Sequence, residues 1–177
     1  MKKLISILLA VVIVLCFAGC TVTDNPKVTE SKGQNGGNEP VQDSFSCTYN
    51  GVTIALHAPA ADILAGLGEA DSYSESTSCA FEGLDKIYTY GSLNLQTYPI
   101  GDKDYIYGWW FEDDVDEDAQ TPEGIRIGSA QADVDAAYGT ENFDGDNTYT
   151  LTKGSGKLTI ILKDGAVKSI QYAIIAE

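Results

Sequence analysis

Basic residues are scarce in this chain: 11 lysines and arginines stand against 26 aspartates and glutamates, a formal charge of −15. Such a field repels nucleic acid and anionic headgroups, so it argues against DNA or RNA binding and favours cations or basic partners, besides keeping the protein soluble. Histidine is scarcer still. His57 is the only one, which rules out a His-rich zinc site and leaves any Ser-His-Asp arrangement dependent on one imidazole. No G-x-S-x-G nucleophile motif and no CxxC pair occurs, and Gly154 and Gly156 read as a turn, not a phosphate loop. Carboxylate pairs are too common here to point to glycoside hydrolysis. The expectation is a protein that is not an enzyme and needs no cofactor, with His57 a surface residue ahead of the first helix.

Long apolar runs are also missing, except at the start. Lys2 and Lys3 precede an apolar to weakly polar stretch from Leu4 to Gly19, shorter than the roughly 20 residues of a membrane span and lacking a basic stop-transfer cluster. It reads as an export signal. Its end, Phe17-Ala18-Gly19-Cys20, resembles the lipobox of bacterial lipoproteins, with Phe17 where leucine is usual. That resemblance implies diacylglyceryl transfer to the Cys20 sulfur and cleavage after Gly19, which places the mature chain at the outer face of the cell membrane. Two acyl chains anchor stably where one is marginal. An ordinary secreted protein and an uncleaved anchor are the alternatives. Removal of Lys2 and Lys3 leaves nine basic residues against 26 acidic ones, a mature charge of −17.

Four segments follow: a signal peptide (1–19), a tether (20–44) carrying lipidated Cys20, and two halves of a folded domain (45–120 and 121–177). The tether is rich in Asn, Gly, Lys, Glu and Pro and cannot bury enough apolar surface to order itself. As a flexible coil it would reach about 25–30 Å. Within the domain, Ala61-Asp62-Ile63-Leu64-Ala65-Gly66-Leu67-Gly68 parallels Ala132-Asp133-Val134-Asp135-Ala136-Ala137-Tyr138-Gly139. Both are short helices ending at a glycine suited to a left-handed cap. Strand-like segments precede each, Gly51 to Ile54 and Gly124 to Ile127. Alternation then marks strands at Ile87 to Tyr90, Leu93 to Tyr98 and Tyr105 to Phe111, and again at Thr148 to Thr152, Leu158 to Leu162 and Val167 to Ile174. The fold class expected is α+β: two tandem helix-plus-antiparallel-meander repeats forming one continuous curved sheet with helices on one face. This order, given twice with Tyr-x-Tyr in the meander, resembles the tandem repeats of the β-lactamase inhibitory protein-like (BLIP-like) fold and, more distantly, small outer-membrane assembly lipoproteins with one such unit. The resemblance implies a concave face that binds a partner. It carries no signature of β-lactamase inhibition itself.

Candidate sites follow from these elements. Strict alternation puts Tyr105, Tyr107, Trp109 and Phe111 on one side of their strand and Ile106 and Trp110 on the other. Together with Tyr88 and Tyr90 next door, Tyr105, Tyr107, Trp109 and Trp110 are the candidate partner-binding residues, for a protein of the cell envelope or, as the alternative, a cell-wall ligand. Plain sheet packing explains the same rings equally simply. Asp113, Asp114, Asp116, Glu117 and Asp118 form an acidic run that reads first as a solvated linker and second as a Ca²⁺ site, without EF-hand spacing. Glu141, Asp144 and Asp146 are a weaker version. Cys47 and Cys79 are the cysteines left after Cys20, and outside the cytoplasm a disulfide between them is expected, with a nominal gain on the order of 3–4 kcal/mol. Two free thiols, or a metal or redox pair, are the competing readings.

Overall fold

The computed structural model describes residues 44–79, 81–113 and 116–175. The signal, the tether and Cys20 lie outside the described residues, as does Asp114. The domain begins with a hairpin, β1 (Ser46–Tyr49) and β2 (Val52–Ala55), followed by helix α1 (Ala60–Leu67). A four-strand meander follows: β3 (Ser72–Thr77), β4 (Leu84–Tyr90), β5 (Leu93–Ile100) and β6 (Lys103–Phe111). After a linker come α2 (Gln131–Tyr138), a 3-10 turn at Thr140–Asn142, and a second meander of β7 (Thr148–Lys153), β8 (Gly156–Lys163) and β9 (Ala166–Ile174). The class is α+β, dominated by antiparallel sheet. No helix among the described residues is long and apolar enough to cross a membrane.

Local chemistry explains the turns. Asp164 (φ 54°) and Gly165 (φ 79°) form the two-residue loop between β8 and β9, the double left-handed conformation that matches strand twist. Asn50 and Gly51 (φ 49° and 75°) do the same between β1 and β2. Each helix stops at its glycine, whose N–H donates back to the last turn: Gly68 to Leu64 at 3.0 Å, Gly139 to Asp135 at 2.9 Å.

Seven strands form one sheet in the order β3-β4-β5-β6-β9-β8-β7, every neighbouring pair antiparallel. The meanders meet where β6 pairs with β9, from Gly108 opposite Ala173 to Phe111 opposite Ile170. One face of the sheet is apolar row by row. Tyr88, Leu95, Trp109, Tyr172, Leu158 and Leu151 lie side by side in register, and Tyr90, Leu93, Phe111, Ile170, Ile160 and Tyr149 form the next row. The β1–β2 hairpin lies over these rows, stacking Tyr49 on Phe111 (ring centroids 6.3 Å) and setting Phe45 edge-on to Tyr172 (5.4 Å). α2 is tied to the same face by the Tyr149 hydroxyl, which donates to Asp135 at 2.5 Å. Ile54, Leu56, Ala60, Ile63 and Val134 complete the core.

Two expectations need correction, and one strand has no counterpart in the sequence pattern. Gly124 to Ile127 is not a strand: the chain folds back there, with Thr121 N–H donating to the Ile125 carbonyl and Ile125 N–H to the Thr121 hydroxyl, which buries Ile125. Its alternation was that of a tight turn with one anchored side chain. β3, by contrast, is a strand without alternation; all six residues are exposed, and besides its backbone pairing with β4 it touches the sheet through the Tyr73 ring on Tyr88. The expected disulfide is not formed. Cys47 is buried on β1 opposite Ile54, where burial pushes its thiol up to about 12, whereas Cys79 is exposed between β3 and β4.

Candidate functional site

A β-bulge decides which aromatic side chains are available. Between β5 and β6 the register runs Gln96 opposite Gly108 and then Thr97 opposite Ile106, leaving Tyr107 as the extra residue. One inserted residue reverses the phase of everything beyond it. Ile106, Trp109 and Phe111 therefore share the core face, each fully buried, and Trp110 stands on the opposite face, half-buried. The bulge sits beside the seam between the meanders, where Gly108 is required: a Cβ there would run into the Tyr172 carbonyl and lie 3.0 Å from Ala173 Cα.

The six candidate partner-binding residues are thus divided. Trp109 is core, stacked on Tyr172 with centroids 4.7 Å apart. Tyr88 and Tyr90 are on the same covered side, Tyr90 buried and Tyr88 half-buried against exposed Tyr73 (5.0 Å) at the sheet edge. Tyr105 and Tyr107 join a separate cluster around buried Tyr98, which also takes in Phe81 at 4.5 Å. Trp110 stands in the middle of the opposite face, which no described strand or helix covers at that point, with Tyr105 on the same side of β6 beyond the bulge.

Around Trp110 that face has one chemical character. Ser72, Thr89, Asn94, Trp110, Gln171, Thr159 and Thr150 are paired in direct register across all seven strands. None of the seven is ionisable, and all are exposed or half-buried. With neighbouring strands about 4.8 Å apart the row is about 29 Å long. Asn94 and Gln171 flank the indole directly, and Thr89 Oγ1 donates to Asn94 Oδ1 at 3.0 Å, which turns the Asn94 oxygen toward Thr89 and leaves its amide nitrogen as the donor end. The adjoining row, Ser74, Ile87, Gln96, Gly108, Ala173, Lys157 and Thr152, holds a single charge, Lys157. Neither row carries a carboxylate, in a chain with 26 acidic residues. Sequence reasoning missed the polar row because it followed the aromatic rings; the signal was the polar partner at every second position of the same strands.

The acidic run is put to other uses. Asp116 Oδ2 accepts from the Tyr49 hydroxyl (2.5 Å) and the Ser92 N–H (2.7 Å), and these bonds hold its carboxyl below the usual carboxylate range. Asp118 accepts from Asn50 N–H at 2.9 Å. Both pin the linker to turns far away in sequence, while Asp113 and Glu117 are exposed. Asp144 likewise caps its own turn, its Oδ1 accepting from the N–H groups of Asp146, Asn147 and Thr148. Among the described residues no three His, Cys, Asp or Glu side chains converge as a metal cluster. A cavity of about 390 Å³ lies between β1 and residues 118–122, with Cys47 and Asp118 as its titratable lining groups.

His57 is not a free surface residue. It is half-buried with φ 63°, and its ring joins Tyr98 to the turn before β8: Nδ1 lies 3.0 Å from Tyr98 Oη and Nε2 2.8 Å from Ser155 Oγ. Its backbone bonds to β6 as well, His57 N–H donating to the Ile106 carbonyl and Ile106 N–H to the Ala58 carbonyl. Burial lowers its pKa, favouring neutral imidazole. A phenol occupies the place behind the ring that a carboxylate holds in a serine triad, and the chain of bonds works as a strut between the two meanders. No protein-family model matches the chain, and comparisons with curated proteins and with solved structures give no match.

Proposed function

We propose that this protein is a lipid-anchored binding module at the outer face of the bacterial cell membrane, holding an envelope component on the open face of its sheet and catalysing nothing. The observation that carries the binding reading is the uncharged, in-register row centred on Trp110. The leader and the Cys20 lipobox support the location. The recurrence of a glycine-stopped helix followed by a meander, with β6 and β9 joined edge to edge, supports reading the domain as a tandem repeat with a curved, BLIP-like sheet. Of the aromatic residues expected to meet a protein partner, Tyr88, Tyr90 and Trp109 lie on the covered side, which leaves Trp110 as the ring at the centre of the open face.

Two measurements test this reading. Expression with the native leader in cells given labelled palmitate should label the wild type and leave Cys20→Ser unlabelled; equal labelling removes the anchor. The mature chain made soluble by Cys20→Ser should sediment with isolated cell envelopes, and the same chain carrying Trp110→Ala should stay in the supernatant. Equal sedimentation of the two refutes the open face as the binding site.

A further inference from the structure

We infer that the occupant of the open face is an uncharged, hydroxyl-rich polysaccharide laid across the strands, with one sugar ring stacked on Trp110 and hydroxyls hydrogen-bonded by Asn94 and Gln171 on either side. This rests on the reading that the open face binds.

Charge is the first argument. The mature chain is strongly acidic, so an anionic polymer is repelled at long range. A basic protein would be matched by carboxylates, and the two central rows contain none. What remains favoured is a neutral ligand. The second argument is hydrogen-bonding capacity. Hydroxyls and carboxamides both donate and accept, as sugar hydroxyls do, whereas a folded protein surface needs its apolar anchors buried at the centre of the contact. Protein interfaces concentrate their energy in clusters of aromatic and apolar residues. Here Trp110 is the single ring in its row, with half-buried Ile87 and buried Ala173 the large or small apolar side chains of the next. The third argument is shape. The indole face is apolar and electron-rich and suits the C–H surface of a pyranose. Strand spacing of about 4.8 Å is close to the advance of one sugar in an extended chain, so successive rings would meet successive strands.

The test uses the mature Cys20→Ser chain with cellohexaose and chitohexaose, titrated by calorimetry and by tryptophan fluorescence, then with neutral and anionic polysaccharides in affinity gels. Expected is binding of at least one neutral hexasaccharide, about tenfold weaker for the matching disaccharide, unchanged between low and high salt, and lost in Trp110→Ala but kept in part by Trp110→Phe. Gln171→Ala, an exposed change that leaves the core intact, should weaken it several-fold. Binding that falls steeply with salt, or that Trp110→Ala leaves unaltered, overturns the proposal, as does failure to bind any neutral glycan. Failure here is distinguishable from failure of the open face itself. If envelope sedimentation still depends on Trp110 but is abolished by protease and resists glycosidases, the face binds a protein and the glycan assignment is wrong; if sedimentation ignores Trp110, the face is not the site.

Discussion

Replacing each of the two adjacent tryptophans by alanine separates the faces of the sheet. Trp109 is fully buried and stacked on Tyr172. A buried tryptophan removes about 200 Å² from water, worth about 5 kcal/mol at about 25 cal/mol per Å², an upper figure because the unfolded chain already hides some of that area. Measured truncations of large aromatic residues cost about 3–5 kcal/mol. For a domain of this size about 1 kcal/mol shifts Tm by about 3–5 °C, so Trp109→Ala should lower Tm by about 10–20 °C. Trp110→Ala removes a half-buried ring from an uncovered face and should cost about 1 kcal/mol or less. Trp109→Phe refines the test: Trp109 Nε1 has no acceptor among the described residues, so the phenyl ring loses contact area but also removes an unpaired buried donor, and the cost should stay well below that of alanine. Urea and thermal unfolding followed by far- and near-ultraviolet circular dichroism give all three values. Equal effects of Trp109→Ala and Trp110→Ala, or the reverse order, would refute the assignment of the two faces at the β6–β9 seam.

Other outcomes follow from single contacts. Gly108→Ala should destabilise by about 1–3 kcal/mol, because the new methyl group meets rigid backbone of Tyr172 and Ala173; a neutral result would mean the β6–β9 seam is loose. His57→Gly should be less harmful than His57→Ala, since both lose the bonds to Tyr98 and Ser155 but only glycine accepts φ 63° freely, and chemical denaturation ranks them. Ser155 should resist a fluorophosphonate probe; specific labelling seen by mass spectrometry would reinstate an acyl-transfer enzyme. Asp116 titrates lower folded than unfolded, so its contribution is complete above the unfolded value of about 3.9 and is lost as pH falls through the folded value. Asp116→Asn should therefore lower Tm at pH 7 by more than at pH 3, and a pH-independent difference would show that the carboxylate charge is immaterial.

Much of the scaffold was legible because it is local. The helices at Ala60–Leu67 and Gln131–Tyr138 and six of the seven meander strands announce themselves by spacing and by the glycines that end them. What was not legible depends on partners distant in sequence. No pattern in Tyr105 to Phe111 reveals that Gly108 must face Gln96 while Ile106 faces Thr97, yet that one mismatch brings Ile106 onto the face of Trp109 and Phe111. The acidic run could not disclose that Asp116 holds Tyr49, 67 residues earlier. β3 has no side-chain signature, because an edge strand can be held chiefly by backbone bonds. Cys47 and Cys79 could be paired on compartment but not placed, and burial separates them into a core thiol and an exposed one.

The most direct measurement is oxidation of tryptophan by N-bromosuccinimide, read by peptide mass spectrometry, with and without bound cell envelope. Trp110 should oxidise in the free protein and be protected in the bound one, while Trp109, its neighbour in the chain, stays unmodified in both as the internal control. Oxidation of Trp110 to the same extent in both states, or oxidation of Trp109 in the folded free protein, would contradict the open face as a binding surface.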